Sequence, residues 1–155
     1  MNGPLVLGIG NVLMGDEGVG VHAVWQMEGT LPLDVSLLDG GTGGFQLLGA
    51  LTGHGRVFMI DATMDGQPPG TVSVLHPRYA SDFPRSLTAH DIGLRDLVEA
   101  AALLGHLPHV TLITVSIGEI VPMQTRLSPA VEAAIPAVPA LVDSLVAGET
   151  AVARA

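Results

Sequence analysis

Residues 56–76 read "RVFMIDATMDGQPPGTVSVLH". Two runs of strand-forming residues, 56–62 and 71–76, bracket a stretch dense in Asp, Gly and Pro. Only nine residues, "ATMDGQPPG", separate Asp61 from the second run. A crossover between parallel strands needs a dozen or more. Asp65 and Gly66 are turn residues. The second run is therefore expected to lie antiparallel to its neighbours.

Upstream the pattern is different. "PLVLGIG" (4–10) is a continuous apolar run ending in glycines, as in a strand buried on both faces. A helix is expected over 16–27, a strand over 34–41 ("DVSLLDGG") and a short helix over 43–53 before the strand at 56–62. That β-α-β-α-β alternation implies parallel pairing in a layered α/β fold. Downstream, "HDIGLRDLVEAAALLG" (90–105) places Leu94, Leu97, Val98 and Ala101 on one helical face and Arg95, Asp96 and Glu99 on the other. A fifth strand is expected over 110–118. Ser128-Pro129 opens the last helix, with Ser as N-cap and Pro in the first turn. Val131, Ile135, Val138, Val142 and Leu145 form its buried stripe, while Pro136 and Pro139 lie off it and kink it. The reading is one domain over 1–147 and a frayed tail over 148–155.

Composition limits the chemistry. Of 155 residues 48% are apolar and only 3% aromatic, so the core is built from aliphatic side chains. The net charge is −9; the six basic residues are scattered arginines and there is no lysine. Neither a nucleic-acid stripe nor a basic membrane-binding face is present in the sequence. The absence of cysteine removes disulfides, thiolate metal sites and a cysteine nucleophile. The start lacks a basic n-region and no apolar run reaches about 18 residues, so a cytoplasmic location is expected. No serine-hydrolase elbow or zincin motif occurs.

"GIGNVLMGDEGVG" (8–20) resembles a phosphate-binding turn, with an acidic mouth. The dinucleotide fingerprint needs a third glycine where Leu13 stands. Asp16 and Glu17 occupy the helix start, where a pyrophosphate needs donors. Asp39 imitates the ribose-binding acid, and a Walker lysine is absent. Two readings of the acids remain. They could simply complement the helix dipole, worth about 0.3–1 kcal/mol. Alternatively, they converge with other groups at the C-terminal edge of the sheet, where ligands bind in such folds. Strand one delivers Asp16 and Glu17 there, strand three delivers Asp61, and His90 opens the next helix. Carboxylates with an imidazole make a mixed O/N metal site with open positions. The remaining histidines, His22, His54, His76, His106 and His109, carry no comparable pattern.

"GIGNVLMGDEGVGVHAV", "LLDGGTGGFQLL", "VFMIDAT…PPGTV", "TAHDIGL" and "LSPAVEAAI" occur in this order, and over residues 5–147 the chain resembles the NiFe-hydrogenase maturation proteases, the HybD-like endopeptidases. The resemblance implies a three-layer α/β/α sandwich whose five-stranded sheet has strand four antiparallel. It also implies an endopeptidase that removes a C-terminal extension from the hydrogenase large-subunit precursor after nickel insertion. By motif position, Glu17, Asp61 and His90 correspond to the nickel-contacting residues. Asp39, Gly40, Gly41 and Thr42 match the second marker, expected to take the substrate tail. On this reading the nickel arrives with the precursor and is not resident. Asp16 or Asp61 is the candidate catalytic base in an aspartic-like mechanism, and the protein is expected to act as a monomer. Glu119 matches no family position. The rival readings are a non-catalytic nickel-checking chaperone of the same fold and a nucleotide-binding enzyme.

Overall fold

A computed structural model describes residues 3–84 and 94–154. Five strands form one sheet: β1 (Leu5–Ile9), β2 (Ser36–Gly41), β3 (Arg56–Thr63), β4 (Val72–Leu75) and β5 (His109–Ser116). Their order is β2-β1-β3-β5-β4. The pairs β1–β2, β1–β3 and β3–β5 are parallel, whereas β4 runs antiparallel to β5. The short link after β3 thus has the consequence expected of it. Asp65 ties that link down, accepting from Ser116 Oγ (2.8 Å) and from the Gln67 N–H (3.1 Å), and Gly66 takes a positive φ of 81°.

Alternation along the central strands feeds two cores. Val6, Phe58, Ile60, Ile113 and Val115 face one side and pack on α1 (Val19–Met27), α4 (Pro129–Ala134) and α5 (Ala137–Arg154). Leu5, Leu7, Val57, Met59 and Leu112 face the other and pack on α2 (Leu48–Thr52) and α3 (Leu94–Leu103). The result is a three-layer sandwich. The face expected for α3 is the one buried, with Leu94, Leu97, Val98 and Ala101 inside.

The closing helix differs from expectation in two respects. It is two helices, broken between Ala134 and Ala137, with Pro136 in the break and Pro139 in the first turn of α5. A proline lacks the N–H that a continuous ladder requires, so the break falls where the first one stands. The buried stripe still runs through it, from Val131 and Ile135 to Val138 and Val142, with Leu145 packed beside them. The backbone of α5 continues helically to Arg154, past residue 147 where the sequence reading set the start of a frayed tail. Among the described residues no helix is long and apolar enough to cross a membrane.

Candidate active site

The site is built where β1 stops. Gly10 leaves the strand at a φ of 145°, a conformation that L side chains rarely adopt. A Cβ there would lie 2.2 Å from the Glu17 carbonyl oxygen. The chain therefore folds back on itself and enters a 3₁₀ turn, Gly15–Gly18, that leads into α1. α1 then sits directly on the strand ends. A Cβ on Gly20 would meet the Ile60 carbonyl at 2.2 Å and the Ile9 carbonyl at 2.4 Å. The glycines of this motif permit backbone-to-backbone packing.

Asp16 and Glu17 are both buried, each only 6% exposed. Glu17 Oε2 accepts from the Asn11 N–H. That donor is one a pyrophosphate would require, which weighs against the nucleotide reading. Asp16 Oδ1 accepts from the Ser128 N–H and Asp16 Oδ2 from the Ser128 hydroxyl, both at 2.7 Å. Two further bonds join the same segments: Gly15 N–H to the Gln124 carbonyl (2.7 Å) and Gln124 N–H to the Leu13 carbonyl (3.1 Å). The acidic turn and the segment that follows β5 are thus stitched together. Ser128 does hold the N-cap position of α4, since its carbonyl accepts from the Glu132 N–H (2.9 Å). Its side chain makes no cap bond and serves Asp16 instead.

The second marker is tied to the first. Gly8 pairs with Asp39 on one side and Ile60 on the other, so Asp39 and Asp61 lie at nearly the same level of the sheet. The Gly10 N–H donates to the Gly41 carbonyl (3.0 Å). Asp39 Oδ1 accepts from the Gly41 N–H and its Oδ2 from Trp25 Nε1, each at 3.0 Å. Asp39 therefore closes its own turn and anchors α1. Gly40 is buried against Leu7 and Leu47, Gly41 takes a φ of 49°, and Thr42 is exposed. Of the four residues expected to take the substrate tail, Thr42 and the exposed Asp39 are the ones open to solvent.

Asp61 lies in β3, level with Thr114 of β5 and on the face that packs against α2 and α3. It is half-buried, and its Oδ1 accepts from the Ala62 N–H (2.9 Å). The structure thus gathers Asp16, Glu17, Asp39 and Asp61 at one end of the sheet. His90 lies outside the described residues. Among the described residues no three His, Asp or Glu side chains group closely enough to hold a metal ion.

Other candidates fall elsewhere. His22, on α1, packs edge-on against Trp25 with ring centroids 5.1 Å apart, and its Nε2 is buried without a hydrogen-bond partner. Burial pushes its pKa below the ordinary value, opposed by the negative charges of Glu132 and Asp16. His54 Nδ1 contacts the Gly3 carbonyl at 2.7 Å, while His76, His106 and His109 are exposed. Glu119 is an exposed residue just after β5. A groove of about 510 Å³, lined by Arg78, Tyr79, Arg95, Asp96, Glu99 and Leu107 among others, contains none of the candidate site residues. Sequence reasoning missed Ser128 and Trp25 as supports of the acidic residues. No local signal could have revealed them, because Ser128 meets Asp16 across 112 residues and Trp25 meets Asp39 across 14.

The family model for hydrogenase maturation proteases matches residues 21–144, a span that begins just after the acidic turn. The hydrogenase 2 maturation protease of Escherichia coli is 35% identical over 135 residues, covering 84% of this chain and 82% of that protein. The HupD hydrogenase expression/formation protein of Rhizobium leguminosarum is 39% identical over 114 residues, covering 70% of this chain. That match spans only 56% of the HupD length. Among solved structures, the E. coli endopeptidase HybD superposes with a TM-score of 0.85 at 33% identity, over 96% of this chain and 94% of that one. A hydrogenase 2 maturation peptidase from a Thaumarchaeota archaeon gives a TM-score of 0.72 at 32% identity, over 93% and 98%.

Proposed function

The chain belongs to the hydrogenase maturation protease family, and from that membership we propose that it is an endopeptidase acting on the large-subunit precursor of a NiFe-hydrogenase. It removes the precursor's C-terminal extension after nickel has been inserted. The observation that carries this reading is the placement of Glu17 and Asp61 at one end of the sheet in a chain of this family. His90, matched by its motif alone, completes the set.

Nickel enters as part of the substrate. Glu17, Asp61 and His90 offer hard oxygen and imidazole ligands with positions left open, which suits an ion already held by the precursor. A precursor without nickel lacks the partner those ligands need, so docking acts as a checkpoint. Binding through the metal places the scissile bond in the cleft and converts a bimolecular encounter into an oriented one. The ion can also polarise the scissile carbonyl or a water molecule.

Of the two candidate bases, Asp16 spends both carboxylate oxygens on Ser128, and this reading therefore gives the role to Asp61. A base must reach a water within hydrogen-bond distance. The marker at 39–42 stands at the end of β2, beside β1, and this reading assigns its exposed Thr42 to the extension.

The test is to mix the purified protein with its precursor, nickel-loaded and nickel-free, and weigh the products by mass spectrometry. Loss of a C-terminal peptide from the nickel-loaded form alone is expected. Binding of that form without cleavage would favour the chaperone reading instead.

A further inference from the structure

We propose that Ser128 is a positioning residue: through its two hydrogen bonds to Asp16 it locks the acidic turn and so holds the neighbouring Glu17 carboxylate in place for the precursor's metal. The inference rests on the metal-recognition reading above. Its physical basis is the clamp itself. Both oxygens of a buried carboxylate are taken by one residue that lies 112 positions away in the chain. The Ser128 hydroxyl does this in place of capping its own helix, the role its position favours. Charge-assisted bonds of this kind are the stronger ones.

Glu17 is gripped from the other side by the Asn11 N–H. The strap is therefore continuous, from Ser128 to Asp16, along one peptide to Glu17, and on to Asn11. The bonds of Gly15 and Leu13 with Gln124 join the same two segments and hold the turn beside the clamp. In this arrangement Asp16 supports the site and does not act on the substrate.

Hydrogen exchange tests the clamp without any precursor. In Ser128→Ala the Asn11 amide is expected to exchange at least tenfold faster, while the β5 amides of Leu112 and Ile113 keep their protection. Ser128→Thr, which retains the hydroxyl, restores the slow rate. An unchanged Asn11 rate in Ser128→Ala would overturn the proposal. The second readout is the ratio of affinities for nickel-loaded and nickel-free precursor. A positioning role lowers that ratio several-fold in Ser128→Ala, whereas a merely structural role weakens both affinities alike. Loss of turnover in Asp16→Asn alongside an active Ser128→Ala would make Asp16 the base and end the positioning role. A wild-type protein that did not distinguish the two precursors would overturn the checkpoint, and the exchange experiment would still judge the clamp.

Discussion

Single acids in this protein have divided duties. Asp39 carries the second marker, yet its two oxygens hold the Gly41 amide and the Trp25 indole. Trp25→Phe is accordingly expected to lower stability by about 1 kcal/mol, the usual net worth of such a bond, read as a shift in denaturant midpoint. Asp61 is the acid to which the proposed function gives a chemical role. Asp61→Ala is expected to reduce precursor processing at least about a hundredfold, the range for losing a general base or a substrate-orienting ligand. Its circular dichroism spectrum should match the wild type, because the Asp61 side chain is half-buried and belongs to neither aliphatic core. His90→Ala is expected to behave in the same way. Normal cleavage by both variants would remove them from the site. The acids were legible in the sequence because their motif is local. Their hydrogen-bond partners were not, because Trp25 and Ser128 reach them only through the fold.

At the level of elements, the junction between β1 and α1 tolerates almost nothing. Gly8 faces α1 so closely that a Cβ would lie 2.3 Å from the Gly20 carbonyl and 2.5 Å from Val24. Gly8→Ala or Gly20→Ala should therefore cost about 3 kcal/mol, near the top of the usual overpacking range, and lower the yield of folded protein. Gly49, within α2, is the control: nothing stands within 4 Å of its would-be Cβ. Gly49→Ala should raise stability by about 0.5–1 kcal/mol, since a mid-helix glycine loses more chain entropy on folding. Thermal unfolding of the three variants checks both statements. The elements themselves were readable from short-range patterns: the apolar runs of β1 and β3, the helical spacing in α3, the brief link before β4. The split between α4 and α5 was readable only as a kink, because whether a proline bends or breaks a helix depends on what the flanking turns pack against.

At the scale of the whole molecule, the half-buried imidazole of His22 contributes to the response to pH. His22 has its pKa lowered by burial, with Asp16 and Glu132 pulling the other way. The unfolded chain then binds a proton on His22 more readily than the folded one. Stability is full above the ordinary histidine value of about 6.5 and declines as pH falls through and below it. His22→Gln should flatten that slope in unfolding experiments run between pH 7 and 5. The free protein is also expected to bind nickel weakly in calorimetry, since its candidate ligands leave the sphere open; tight binding would argue for a resident metal. The sequence by itself determined the layered α/β class, the antiparallel fourth strand, the aliphatic core and the family, because these follow from periodicity, link length and contiguous motifs. Only the tertiary structure decided which partners each acid has. Asp16 and Glu17 are adjacent in sequence and alike in charge, but one faces Ser128 from the far end of the chain and the other the amide of Asn11. A carboxylate's role is set by its partners, and chain folding alone brings residues 16 and 128 together.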